Sequence, residues 1–144
     1  MTYEEMLACR EGKMRKRPSD EEHRIQCACV RWFRFQYPSL SGALFAIPNG
    51  GRRDAATGAR MKEEGVVAGV SDLILLRGSG PYGALCIEMK TPSGRQSETQ
   101  KKWQRIAEEN GAKYVVCRSL DDFMKEIEEY LKSNTYEYKR NKGT

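Results

Sequence analysis

The stretch DLILLRGSGPYGALCIEMK, residues 72–90, consists of two apolar segments joined by a glycine-rich connection. Each segment has the length of a β-strand, and the connection is short enough for an antiparallel hairpin. Because both segments are apolar nearly throughout, they are typical of central strands that are covered on both faces. The stretch therefore predicts a sheet with this hairpin at its centre.

Helices and strands are predicted on both sides of the hairpin. Capping boxes at Ser19 with Glu22 and at Ser97 with Gln100 mark the starts of two helices, and Ser119 marks the start of the last one. The predicted elements follow one another as helix 19–37, strand 44–47, helix 54–64, the hairpin, helix 97–110, strand 113–117 and helix 119–131.

This order of elements indicates a single α/β domain, a mixed β-sheet flanked by helices. Residues 84–117 form a strand–helix–strand unit, whose right-handed crossover makes its two strands parallel. The chain has 144 residues, which is in the usual range for one domain. We expect a basic N-terminal arm over residues 1–18, the domain over residues 19–132 and a polar tail over residues 133–144.

The composition disfavours several classes of protein. Hydrophobic residues make up 39% of the chain and charged residues 31%, a balance typical of soluble globular proteins. No apolar run approaches the ~20 residues that a membrane-spanning helix needs, and no signal-peptide pattern opens the chain, so we expect a cytoplasmic protein. The net charge of +5 and several separate basic clusters favour a polyanionic partner such as nucleic acid.

The composition also restricts the kind of metal site. The chain contains one histidine, His23, and five cysteines without the spacing of a disulfide framework or a zinc site. A histidine-based hydrolase mechanism is therefore disfavoured. Any metal ion must be held by oxygen ligands.

Three charged residues lie at the ends of the two central strands. Glu88 and Lys90 are two positions apart, so their side chains leave the same face of the sheet. In an antiparallel hairpin the start of the first strand lies beside the end of the second, which brings Asp72 next to both. Burying two carboxylates there is costly unless a cation offsets their charge. The constellation predicts Mg²⁺ or Mn²⁺, with Lys90 available to orient a water or neutralise a phosphate.

Two other interpretations of these charges are open at this point. An isolated E-x-K is most often an ion pair at the end of a strand, in which case the chain is a structural α/β domain without a metal site. A domain with this predicted fold can also bind nucleic acid without cleaving it, as a non-catalytic binding module.

Several ordered motifs of the chain resemble those of one known family, the virus-type replication-repair nucleases, which are the VRR-NUC branch of the PD-(D/E)XK nucleases. The motifs are, in chain order, EHRIQ (22–26), IPNGG (47–51), GVSD (69–72), IEMK (87–90) and SETQ (97–100). The resemblance covers about residues 19–131. Ser71 stands where the name of the superfamily has proline.

The resemblance implies a restriction-endonuclease-like fold and a Mg²⁺- or Mn²⁺-dependent DNA endonuclease. The site residues that it implies are Asp72, Glu88, Met89 and Glu22 as metal ligands, Lys90 as the catalytic lysine and Gln100 as an auxiliary catalytic residue. It further implies branched or structured DNA, such as a four-way junction or a flap, as the substrate. A phage or prophage context of DNA replication and repair, and a homodimer, also follow from it.

A role outside the active site would account for some of these residues equally well. Glu22 and Gln100 each occupy the third helical position of a predicted capping box, which by itself is sufficient reason for their presence. Arginines on loops and helices could contact backbone phosphates without reading bases, although each alone is more often a solvated surface charge. The candidates for such phosphate contacts are Arg52, Arg53, Arg60 and Arg95.

Overall fold

The computed structural model describes residues 18–48 and 55–132. In chain order the elements are α1 (Pro18–Gln36), a short 3₁₀ helix (Pro38–Ala43), β1 (Leu44–Ala46), α2 (Ala55–Glu63), β2 (Leu73–Leu75), β3 (Ala84–Met89), α3 (Glu98–Glu109), β4 (Ala112–Cys117) and α4 (Leu120–Leu131). The predicted order of helices and strands is confirmed within these residues. No helix among them is long and apolar enough to span a membrane. The predicted arm before Pro18 and the predicted tail at 133–144 lie outside the described residues.

The four strands of the described residues form one sheet in the order β1-β2-β3-β4. β2 is antiparallel to both β1 and β3, which confirms the predicted hairpin, and β4 is parallel to β3. Asp72 and Lys90, which were predicted within strands, lie one position outside them. Both still pair with a neighbouring segment, since Ile47 N donates to Asp72 O at 2.9 Å and Lys90 N donates to Cys117 O at 3.0 Å.

Helices cover both faces of the sheet. The side chains of β3 alternate between the faces, so Leu85, Ile87 and Met89 join a core with α1 and α4, whereas Cys86 joins a second core with α3. The central strands are therefore buried on both faces, as their apolar composition indicated. The predicted α/β fold, a mixed sheet flanked by helices in a single domain, is confirmed.

The starts of the helices test the predicted capping boxes. At α3, Ser97 Oγ accepts from Gln100 N at 3.1 Å and Gln100 Oε1 accepts from Ser97 N at 2.8 Å, so this box is confirmed. Ser119 caps α4 by accepting a backbone N–H, also as predicted. The box predicted at Ser19 is wrong, because α1 already includes Pro18 and Ser19 lies inside its first turn. Proline suits the first turn because no intrahelical N–H donor is needed there.

A glycine allows α3 to approach the segment that leads to Asp72. Gly69 has a φ of +83°, a left-handed conformation that glycine adopts without a steric penalty. A Cβ at this position would lie 2.5 Å from the carbonyl oxygen of Thr99, in the first turn of α3. The two segments therefore pack this closely only because residue 69 has no side chain.

Gly69→Ala is expected to destabilise the protein by about 2 kcal/mol or more, from backbone strain and from the collision with Thr99. The matched control is Gly58→Ala in α2, where an added Cβ meets nothing within 4 Å. Helix propensity favours alanine at that control position by up to ~1 kcal/mol. Urea unfolding of both variants measures the difference, and a Gly69 variant as stable as wild type would contradict the close packing.

Candidate active site

A buried carboxylate lies near the end of the central strand β3. Glu88 is 1% exposed, and its neighbours Ile87 and Met89 belong to the core formed with α1 and α4. Alternation along the strand therefore places Glu88 on the opposite face, which α3 covers. Glu88 is the only charged residue in β3, and the central position of that strand accounts for its burial.

Asp72 lies beside Glu88, as the hairpin predicted. The antiparallel register pairs Leu73 with Ile87, so the residue before Leu73 is level with the residue after Ile87. Asp72 Oδ2 accepts a hydrogen bond from Met89 N at 2.8 Å, which holds its carboxylate at the end of β3. The two carboxylates thus meet at the same edge of the sheet.

Lys90 and Gln100 contact the same carboxylate oxygen. Lys90 Nζ lies 3.7 Å from Glu88 Oε1, and Gln100 Nε2 donates to that oxygen at 3.0 Å. The Oε1 atom of Gln100 completes the capping box of α3 at the same time. One amide group therefore serves both the helix start and the site, so the capping role of Gln100 and its role in the site are compatible.

Glu22 approaches this group from α1. Burial, followed by the negative charge of Asp72, raises the pKa of Glu22, and the positive charge of Lys90 opposes the rise. The charge of Glu22 in turn contributes to the raised pKa of Glu88. Glu22 therefore lies close enough to Asp72 and Lys90 for its charge to interact with both.

The surroundings of Glu88 favour its neutral form. Burial, followed by a hydrogen bond with Asp72 and the negative charge of that residue, raises the pKa of Glu88 to about 9, and Lys90 acts in the opposite direction. When Glu88 is ionised, its Oε2 is buried without a hydrogen-bond partner. A proton removes this deficit because it can be donated to Asp72, and a bound cation would remove it as well.

The donors at this edge of the sheet fit a hard divalent cation. Mg²⁺ and Mn²⁺ prefer carboxylate and carbonyl oxygens, and the unpartnered Oε2 of Glu88 is such a donor. Met89 can contribute only its main-chain carbonyl, since its side chain is buried in the core and its N–H is bonded to Asp72. Within residues 18–48 and 55–132, no three His, Cys, Asp or Glu side chains form a ready metal cage. A cation here would rest on few protein ligands and several waters, as Mg²⁺ commonly does.

Two of the four predicted phosphate-binding arginines, Arg60 and Arg95, lie within the described residues. Arg60 is exposed on α2, a helix without buried residues among those described, and Arg95 is exposed between β3 and α3. Neither forms an ion pair with a carboxylate of the described part of the site. Arg52 and Arg53 lie outside the described residues. The residues that the structure brings together are Glu22, Asp72, Glu88, Lys90 and Gln100.

Ser71, the residue that departs from the superfamily's motif, is fully buried. Its hydroxyl donates to the carbonyl oxygen of Leu73 at 3.1 Å. The serine therefore makes a local hydrogen bond at the entry to β2 that proline could not make.

Arg118 is a residue of this region that no sequence motif indicated. Its Nη1 donates to the carbonyl oxygens of Thr91 at 2.8 Å, Pro92 at 3.5 Å and Gly94. Arg118 follows β4, and the parallel pairing with β3 puts the ends of both strands at the same edge of the sheet. That position could be read from the predicted topology, but the carbonyls that the guanidinium reaches could not. Arg118 holds the connection that runs from Lys90 to the start of α3.

This chain matches the model of one protein family, and its fold is similar to that of a solved structure. The family model of the VRR-NUC domain matches residues 14–121. Among solved structures, a VRR-NUC domain protein is similar with a TM-score of 0.70 and 24% sequence identity, over 83% of this chain and 93% of that chain. At this identity the likeness is evidence of the fold alone. No curated protein sequence matches the chain.

The raised pKa of Glu88 predicts that stability depends on pH when no metal is present. Between the ordinary value of 4.5 and about 9, the folded protein keeps a proton that the unfolded chain releases. The stability that this proton confers is therefore full below pH 4.5 and is lost as the pH rises toward about 9. The slope is at most about 1.4 kcal/mol per pH unit. Glu88→Gln, which is neutral at every pH, is expected to flatten it.

Urea unfolding in EDTA, from roughly pH 5.5 to pH 8.5, measures this slope. Glu129→Gln replaces an exposed glutamate of α4 and serves as the matched control, with the wild-type slope expected. Parallel curves for wild type and Glu88→Gln would show that the buried carboxyl group is not neutral in the folded protein.

Arg118→Met is expected to lower stability by about 2 kcal/mol, because three carbonyl groups lose a charged donor. Amide exchange at Gly94, whose N–H is bonded to Thr91 O, should become faster. Arg105→Met removes an exposed arginine of α3 and controls for the change in charge. If the two variants behave alike in unfolding and exchange, Arg118 does not hold the connection.

Proposed function

Because this chain belongs to the VRR-NUC domain family of nucleases, we propose that it is a Mg²⁺- or Mn²⁺-dependent endonuclease that hydrolyses phosphodiester bonds in DNA. The observation that carries the proposal is the buried carboxylate of Glu88, whose Oε2 lacks a partner although Asp72 and Lys90 lie beside it. Apolar residues would make a strand end at least as stable as this arrangement, so stability alone does not account for it.

Four residues would hold the cation in this proposal. Asp72 and Glu88 lie at the edge of the sheet, Glu22 approaches from α1, and Met89 offers its main-chain carbonyl. The chemistry that such an ion supplies is the activation of water and the stabilisation of charge on the scissile phosphate.

Gln100 and Lys90 have different tasks at the same carboxylate. Gln100 fixes Glu88 by donating to Oε1, so Oε2 would be the oxygen available to hold the cation. The side chain of Lys90 is 12% exposed, so its ammonium group lies where the buried site meets solvent. From there it can orient the attacking water or neutralise the phosphate in the transition state.

The substrate in this proposal is branched or structured DNA, such as a four-way junction or a flap. The net charge of +5 favours a polyanion, and the exposed Arg60 and Arg95 are suited to backbone contacts that carry no sequence specificity. A homodimer would present two sites to a symmetric junction. We further propose that the protein acts in the cytoplasm, in phage or prophage DNA replication and repair.

Cleavage of a labelled panel of single strand, duplex, flap and four-way junction tests the proposal. With Mg²⁺ or Mn²⁺, wild type should cut at least one substrate, and EDTA should abolish cutting. Lys90→Ala is expected to lower the cleavage rate by about 100-fold or more while DNA binding persists, because the lysine acts mainly in the transition state. Lys125→Ala, a lysine of α4 outside the site, is the charge-matched control with the wild-type rate expected.

Two outcomes of this experiment would overturn the proposal. DNA binding without cutting in any metal would make the chain a non-catalytic nucleic-acid-binding module. Metal-dependent cutting that is equally fast in wild type and in the Lys90 variant would place the chemistry elsewhere in the chain.

A further inference from the structure

A histidine and a cysteine meet on one face of α1, apart from the side chains around Glu88. His23 and Cys27 are four residues apart, the spacing that places two side chains next to each other on a helix. Cys27 Sγ lies 3.5 Å from His23 Nε2. His23 is exposed, Cys27 is partly buried, and the contact between them is exposed to solvent. A dissolved ion can therefore reach both atoms.

The separation of these two atoms is that of two ligands of one tetrahedral metal ion. With Zn–S at about 2.3 Å, Zn–N at about 2.0–2.1 Å and an angle of about 109° between the bonds, the sulfur and nitrogen atoms are about 3.5 Å apart. The observed distance of 3.5 Å equals this value, so the pair could hold an ion without rearrangement of the helix. A hydrogen bond between thiol and imidazole has a similar length, and it is the alternative that an experiment must exclude.

The two donor atoms determine which class of ion the pair can bind. Thiolate sulfur and imidazole nitrogen are ligands of Zn²⁺ and of similar ions such as Co²⁺, whereas Mg²⁺ and Mn²⁺ prefer oxygen. The carboxylates around Glu88 are oxygen donors, so the two places select different ions. The prediction that oxygen must hold any metal ion rested on the spacing of the cysteines, and it did not anticipate a histidine paired with one cysteine on a helix.

The other described cysteines are poor ligands. Cys29, Cys86 and Cys117 are buried, and burial raises the pKa of Cys29 and Cys117 to about 12, which keeps these thiols protonated. Within residues 18–48 and 55–132, no third His, Cys, Asp or Glu side chain completes a metal cage with the pair. The pair therefore offers two protein ligands and leaves the other positions of a tetrahedral ion to water.

We propose that His23 Nε2 and Cys27 Sγ bind one thiophilic divalent cation of the zinc type on the surface of α1. The imidazole binds in its neutral form, with its proton on Nδ1, and the thiol releases its proton to the buffer as the ion binds. The ion joins two positions one turn apart and so stabilises the N-terminal half of α1. The inference rests on the geometry and chemistry of the pair, so it stands whether or not the chain cleaves DNA.

Co²⁺ is the probe for this site, because a cobalt–thiolate bond has a charge-transfer absorption band that cobalt bound to oxygen lacks. The full chain carries Cys9→Ser, which removes the cysteine outside the described residues. It is titrated with Co²⁺ in excess Mg²⁺, which competes for oxygen sites, and in a reductant that does not bind metals. We expect a band that saturates at one ion per chain and disappears when Zn²⁺ is added.

An exchange variant of the same composition is the matched control. His23→Gln combined with Gln36→His keeps the net charge and moves the imidazole to an exposed position at the end of α1. Nine residues separate it from Cys27, so it lies on the opposite side of the helix and about 13.5 Å along it. The loss of one of two ligands should weaken Co²⁺ binding by about 100-fold or more. Cys27→Ser in the same background should abolish the band.

The melting temperature provides a readout that does not depend on absorption. Zn²⁺ in excess Mg²⁺ should raise the melting temperature of the Cys9→Ser chain, because the ion binds the folded helix more tightly than the unfolded chain. The rise should be smaller in the exchange variant, in which any binding of Zn²⁺ to the carboxylates around Glu88 is unchanged.

Three results would overturn the proposal. The absence of a cobalt–thiolate band would show that the pair is only a hydrogen bond. Equal Co²⁺ affinity in the exchange variant would exclude His23 as a ligand. Saturation at one ion per two chains would place the ion between two copies rather than on a single helix.

Discussion

The desolvated carboxylate of Glu88 sets the conditions that the rest of the site has to meet. An ionised carboxylate buried in an apolar sheet is costly, so the group must be neutralised by a proton or a cation. Lys90 and Gln100 satisfy only one of its two oxygens, and the nearby Asp72 raises its pKa further. A stable structural ion pair would have both oxygens satisfied. The second oxygen of Glu88 is therefore satisfied only when it carries a proton or faces a cation.

The fold creates this situation through register and layering. An antiparallel hairpin puts Asp72 level with Glu88, and the parallel strand β4 brings Arg118 to the same edge. α3 covers that face and supplies Gln100, while α1 covers the other face and supplies Glu22 at the edge of the sheet. The site is thus assembled from all three layers, and no single segment carries it.

The parts of this structure that were predicted from the sequence depend on local patterns. Apolar segments around a glycine-rich connection indicated the hairpin, and the box of Ser97 with Gln100 indicated the start of α3. The pairing of Asp72 with Glu88 followed, since a two-stranded register leaves little freedom. At Ser19 the prediction failed because the helix already includes Pro18, so Ser19 lies inside its first turn.

Other features required the three-dimensional structure. Arg118 binds three carbonyl groups that are more than twenty positions away in the sequence, and nothing in the local pattern selects them. The need for glycine at position 69 arises from the backbone of Thr99, which packs there only after α3 has docked.

The role of Gln100 was ambiguous from sequence because its side-chain amide makes two hydrogen bonds. Its Oε1 accepts from Ser97 N, and its Nε2 donates to Glu88, so the start of the helix and the site are coupled. When the first turn of α3 frays, Ser97 N loses its acceptor and the carboxylate of Glu88 loses its donor in the same event. Stabilising the hydrogen bond of Gln100 to Ser97 therefore also stabilises its hydrogen bond to Glu88, and the reverse holds as well. The coupling free energy is the same in both directions. A ligand that binds the ionised Glu88 would therefore suppress opening of the helix start, and a tighter helix start would raise the affinity for that ligand by the same factor.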